Sequence, residues 1–159
     1  MKRRKLPVVQ VRPCAGCSAC CTVLGVRELE KAPWMTCKHV VPKGCGIYET
    51  RPPICGKFYC LWQSGVGEDR DRPDHLGVVF APTDGPTEFT HEVEVQAYEV
   101  VADAFNRPRV VEIAKRFLAK GRLVVGHTFG GGSFRFLGPP EKVRLAKQWV
   151  EENRDKPLR

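Results

Sequence analysis

All eight cysteines of this 159-residue chain fall between Cys14 and Cys60, and none follows. No other feature restricts the fold as strongly. The same segment contains nine Gly or Pro residues, and neither a helical nor a strand period persists through it. A stretch so broken by turn residues cannot close an apolar core of its own, so a cross-link has to supply part of its folding free energy. Short helical turns are expected around 18–24 and 47–51, with loops between them.

Whether that cross-link is a disulfide or a metal depends on the compartment. The chain starts Met1-Lys2-Arg3-Arg4-Lys5 and continues as a short apolar stretch interrupted by Pro7 and Gln10, a poor signal-peptide core. No apolar run approaches the length that spans a bilayer, so no membrane partner is expected. The expected setting is cytoplasmic and reducing, where closely spaced thiols serve as metal ligands or redox groups more often than as a disulfide framework.

The spacing favours metal. Cys14-x-x-Cys17 and Cys17-x-x-Cys20 overlap, and Cys21 follows at once. A two-residue gap lets the chain fold back so that both sulfurs reach one ion. Adjacent side chains diverge, so Cys20 and Cys21 point to two centres, or to one centre plus a free or bridging thiolate. Cys37, Cys45, Cys55 and Cys60 complete the set. Eight thiolates divide into two closed tetrahedral sites of the kind common in structural zinc proteins. The leading reading is a module that chelates zinc, as one or two ions, for a structural or partner-binding role. The alternative is an iron–sulfur cluster in a redox or electron-transfer protein, since Cys14, Cys17 and Cys20 repeat the first three ligands of a ferredoxin run. That run would continue x3-C-P, whereas here Cys21 is adjacent and Thr22 follows. Metal storage or delivery, with labile centres, is a third class. Gly16, Gly44, Gly46 and Gly56 flank the ligands, where a missing Cβ lets the backbone bend close to an ion. Lys38, Lys43, Arg51 and Lys57 are nearby charges that help hold thiolates ionised.

These residues resemble a known family, the bacterial CxxCxxCC (YkgJ-like) cysteine-cluster proteins, described as zinc- or iron-chelating domains. The resemblance runs through Cys14, Cys17, Cys20 and Cys21, then Cys37, Cys45-Gly46-Ile47-Tyr48, Arg51-Pro52, and Cys55 with Phe58 and Cys60. A looser likeness continues at Arg72-Pro73-Asp74. It covers about the first third of the chain and implies metal chelation. Where the family usually carries Arg after the seventh cysteine, this chain has Gly56 and then Lys57.

Other candidates are weaker. His39 lies two residues from Cys37, but with eight cysteines present it reads as a neighbour of the ligands. His75, His91 and His127 form no metal-binding pair. Trp34, Tyr48, Phe58, Tyr59 and Trp62 read as the apolar shell of a metal site rather than as base-stacking platforms. Gly130-Gly131-Gly132-Ser133 lacks a phosphate-loop ending and reads as a turn. Asp69, Asp71 and Asp74, interleaved with Arg70 and Arg72, read as a self-neutralising surface loop. No catalytic motif is recognised, so the sequence leaves enzyme activity undecided. The formal charge of +8 is concentrated at the start: five basic residues and no acid lie in positions 1–12. Lys2, Arg3, Arg4 and Lys5 could contact nucleic acid through phosphate, but ligation of two zinc ions by eight thiolates lowers the total to about +4. A protein partner is the other candidate.

At 42% hydrophobic and 28% charged residues the chain is expected to be globular. Residues 1–12 read as a basic flexible tail, 13–64 as the cysteine-cluster module, and 65–159 as a sheet–helix region forming one unit with it, joined through a polar connector at 65–73. Strands are expected at 76–81, 92–101, 122–129 and 133–137. Helices are expected at 108–120, facing inward through Val110, Val111, Ala114, Phe117 and Leu118, and at 140–152, burying Val143, Ala146, Trp149 and Val150. The fold class is α+β: an irregular metal-bound cysteine module packed on a small, mainly antiparallel sheet with two helices.

Overall fold

The computed structural model describes residues 12–14 and 16–154. In chain order the elements are α1 (Ala19–Val23), the two-residue strands β1 (Val40–Val41) and β2 (Gly44–Cys45), α2 (Pro53–Lys57), α3 (Pro73–Leu76), β3 (Val78–Pro82), β4 (Val95–Glu99), α4 (Pro108–Leu118), β5 (Val124–His127), β6 (Phe134–Leu137) and α5 (Pro140–Glu152). The fold is α+β. β1 and β2 make a small antiparallel ladder, and β3-β4-β5-β6 form one sheet in that order. The outer pairs are antiparallel and the central pair β4–β5 is parallel. A parallel neighbour needs a crossover connection, and α4 supplies it.

Val78-Val79-Phe80-Ala81 shows no alternation because both faces of β3 are covered. On one face Val78, Phe80, Val95, Ala97 and Val124 meet α4. That helix starts with Pro108 in its first turn and turns Val110, Ile113, Ala114 and Phe117 inward at i, i+3, i+4, i+7. Val111 and Leu118, expected on the inner face, are only half-buried. On the other face Val79 meets Ala19, Val23, Cys60 and Trp62 of the cysteine segment. The aromatic stripe Tyr98, His127, Phe134 and Phe136 continues that face.

Of the four residues expected to be buried by α5, only Ala146 is; Val143, Trp149 and Val150 are half-buried. A charge does the anchoring instead. Lys142 Nζ reaches Glu94, whose carboxylate also accepts the Leu123 N–H, both at 2.7 Å. Glu99 is likewise buried, its two oxygens each accepting a backbone N–H, from Phe105 and Phe129.

The connector at 65–73 is not a self-neutralising surface loop. Asp69–Asp71 form a short 3-10 turn, and Asp71 is 2% exposed. Arg109 of α4 forks onto it at 2.8 and 2.7 Å, and the Glu68 N–H adds a third bond. Arg109 holds the Asp71 carboxyl down to about 2. Asp74 pairs with Arg72. Arg12, read as part of a flexible tail, is also anchored: its N–H bonds the Gln63 carbonyl at 2.7 Å, and its guanidinium donates to the Trp62 and Gly67 carbonyls while lying over the Trp62 ring. Lys2, Arg3, Arg4 and Lys5 lie outside the described residues. Among the described residues no helix is long and apolar enough to cross a membrane.

His127 stacks on Tyr98 at 4.5 Å, abuts Phe134, and has Nε2 3.2 Å from Gln96 Oε1. Burial lowers its pKa to about 4. An unfolded chain takes up that proton near pH 6.5, so the contribution is whole above pH 6.5 and drains away as pH falls towards 4. The loss is on the order of 3 kcal/mol at one pKa unit per 1.36 kcal/mol. His127→Phe is expected to flatten this limb in urea melts run from pH 7 to pH 4. A variant with the same acid slope as the parent would show that His127 is not its source.

Candidate metal centre

The cysteines are positioned by short elements that lean on one another. Cys14 and Cys17 belong to a turn closed by the Cys17 N–H on the Cys14 carbonyl at 2.9 Å, with Gly16 at φ +84° inside it. Gly44, at φ +116°, brings the β1–β2 hairpin against that turn, where an added Cβ would lie 3.6 Å from Gly16 Cα. The hairpin thereby delivers Cys45 beside Cys14. Gly56 lies inside α2 and provides no bend, unlike the sequence expectation. α1 carries Cys20 and Cys21 because Ala19 and Val23 bury its inner face. The Cys37 N–H bonds the Cys21 carbonyl at 3.0 Å. α2 carries Cys55, and Cys60 precedes Leu61, whose N–H bonds the Phe80 carbonyl at the open edge of β3.

Cys14, Cys17, Cys20 and Cys60 line one small cavity of about 20 Å³, walled by Phe58, Trp62, Pro73 and Val79. Gln63 completes the lining: its Nε2 donates to Cys14 Sγ at 3.2 Å, and its Oε1 accepts the Cys60 N–H at 3.3 Å and lies 3.8 Å from Cys60 Sγ. Burial pushes the Cys17 thiol up to about 11, against the backbone N–H groups of Ala19 and Asp74, which favour its thiolate. Burial likewise raises Cys60, opposed by the N–H groups of Gln63 and Trp62. N–H groups turned towards sulfur are the supporting contacts that metal thiolates use.

The remaining cysteines gather beside this cavity. Cys55 feels Cys21, Cys37 and Cys45 as its nearest charged neighbours after burial, and Lys31 feels Cys37, Cys21, Cys20 and Cys55. The ammonium of Lys31 caps the end of α1 through the Thr22 and Leu24 carbonyls. Cys20 and Cys21 do not separate fully. Cys20 gives Cys21 a hydrogen bond that holds Cys21 below the usual thiol value and raises Cys20. The two groups therefore touch at this pair.

All eight cysteines are free thiols. Among the described residues no three His, Cys, Asp or Glu side chains are grouped so as to hold a metal ion. The donor set nonetheless fits a soft ion. Four sulfurs line a hollow with room for one water-sized body, and thiolates suit zinc or iron.

No family model matches the chain, and no curated protein or solved structure matches it.

Two residues that sequence reasoning passed over belong to this region. Gln63 has no signal beyond standing three positions after Cys60. Lys31 is the cation beside the second group, whereas of the four charges expected there Arg51 is the one beside Cys14 and Cys45, stacked over Tyr48 at 3.7 Å. Phe58 and Trp62 form the apolar wall as expected. Tyr48 and Tyr59 do not, being 47% and 50% exposed. Trp34 packs away from the sulfurs, against Tyr98, with its indole N–H on the Glu99 carbonyl at 2.8 Å. Arg72-Pro73-Asp74 acquires a physical role: Pro73 lines the cavity and the Asp74 N–H serves Cys17.

Proposed function

We propose that the chain is a thiolate metal-binding protein that holds zinc through its cysteines, as a structural or partner-binding module. The observation that carries this reading is the hollow lined by Cys14, Cys17, Cys20 and Cys60. Four thiolates close one tetrahedral zinc site and eight close two, so zinc uses every ligand. The ligands are the eight cysteines at 14, 17, 20, 21, 37, 45, 55 and 60. A bound zinc supplies no redox chemistry; it ties together loops that have little core of their own. Val79 and Trp62 then seat the tied loops on the sheet. The resemblance to CxxCxxCC proteins agrees with chelation, and a reducing cytoplasm is the matching compartment. Met35, Val41, Tyr48, Ile54 and Tyr59 are exposed within the cysteine segment and support a protein partner there.

Elemental analysis of anaerobically purified protein, read with its visible spectrum, tests the reading. Colourless protein carrying zinc is expected. Brown protein bleached by dithionite would replace zinc with an iron–sulfur cluster. Fully ordered protein without any transition metal would end the chelation reading altogether.

A further inference from the structure

The thiolate–metal reading leaves open how eight cysteines divide, and Gln63 decides it. Its side chain spans the hollow from Cys14 Sγ to the Cys60 backbone, 49 positions from the one and three from the other. Arg12 fixes it from behind, through its own N–H on the Gln63 carbonyl and its guanidinium over Trp62. One amide therefore holds the first and the last cysteine of the chain at the same cavity.

Resting on that reading, we propose that Cys14, Cys17, Cys20 and Cys60 make one single-ion site with Gln63 as its positioning residue. Cys21, Cys37, Cys45 and Cys55 serve a second centre.

Four thiolates around a divalent ion leave a net negative charge against Phe58, Trp62 and Val79, and none of the residues lining this cavity is a cation. Arg51 stands beside Cys14 from outside the cavity, and within the lining neutral donors serve the sulfurs: the Gln63 amide on Cys14, and backbone N–H groups on Cys17 and Cys60. The Lys31 ammonium stands beside Cys37, Cys21 and Cys55 of the second group and beside Cys20 of the first. Cys20 and Cys21, hydrogen-bonded to each other, are where the two sites meet.

The test is anaerobic titration of the full chain with Co²⁺, read by metal stoichiometry and sulfur-to-cobalt absorption. The wild type is expected to take up two ions. Cys14→Ser and Cys60→Ser, singly or together, are expected to remove the same one, and Cys55→Ser the other. Gln63→Leu, which keeps every ligand, is expected to weaken only the first ion, by roughly ten- to a hundredfold, and to shift its absorption band, which a loss of general stability would not do. Loss of both ions in Cys14→Ser/Cys60→Ser, or removal of the same ion by Cys55→Ser and Cys60→Ser, would overturn the division while leaving chelation intact. A Gln63→Leu spectrum and affinity identical to wild type would overturn the role of Gln63. A wild-type chain that takes up no cobalt would overturn the chelation reading itself.

Discussion

Removing the metal is expected to unfold the cysteine-rich segment while the sheet and α4 stay folded. The two apolar clusters of the molecule are built differently. The one between the sheet and α4 draws its buried members from Leu76 onward, with Leu61 and Val66 packed at its margin. The other is formed by Ala19, Val23, Cys60 and Trp62 on Val79, so its walls are the cysteine-bearing loops themselves. Structural zinc sites contribute about 10–16 kcal/mol of apparent binding free energy at neutral pH, far more than those few side chains provide by burial at roughly 25 cal/mol per Å². A chelator should therefore expose amides and protease sites between Cys14 and Cys60 while the amides of β4 and β5 remain protected in hydrogen exchange. The tryptophan signal should change with the same midpoint, since Trp62 lies on the cavity wall. Stripped protein that keeps protection in both halves would refute the idea that metal holds the segment.

Glu94→Ala is expected to be the most damaging single change outside the cysteine segment. The carboxylate is fully covered, with one oxygen on Lys142 Nζ and the other on the Leu123 N–H, so it joins α5, β4 and the entry to β5 at one point. Truncation strands the buried Leu123 N–H and leaves the Lys142 ammonium with Glu92 alone, 3.0 Å away. A buried donor left unpaired costs about 1–3 kcal/mol, and the lost half of the ion pair adds to it, a large part of the stability of a domain this size. Glu94→Gln keeps an acceptor for Leu123 and should lose less. Lys142→Met alongside Glu94→Ala should recover part of the loss, because the largely covered ammonium is then no longer held by Glu92 alone. Urea melts of metal-loaded protein measure all three; a cost below about 1 kcal/mol for Glu94→Ala would mean that water reaches this pair.

The regular elements were legible because their signals are local. Pro108 to Leu118 carries its apolar face at helical spacing, and Pro140 to Glu152 begins at a proline and ends where the periodicity ends. The unbroken apolar run of β3 announced a strand covered on both sides. The short turn expected around 18–24 is α1. Burial was less legible than structure type. Asp71 reads as one acid in a charged loop until Arg109, 38 positions away, is known to reach it. Lys142 looks like a solvent-facing helix residue until Glu94 is found beneath it. These are pairings between distant segments, and no period in either segment encodes them.

The same boundary runs through the candidate site. The residue types and their spacing, read alone, determined that soft sulfur donors dominate the first third of the chain; the divergence expected of Cys20 and Cys21 is incomplete, since the two are hydrogen-bonded. Tertiary structure decided which sulfurs share a cavity. Cys60 reaches Cys14 because the segment after it hydrogen-bonds to the edge of β3, whereas Gly44 and Gly16, where two backbones touch, bring Cys45 up beside that cavity without making it part of the lining. Ligand chemistry belongs to the individual side chain and is written at its position. Convergence belongs to the packing of distant backbone segments, and it exists only once the chain has closed on itself.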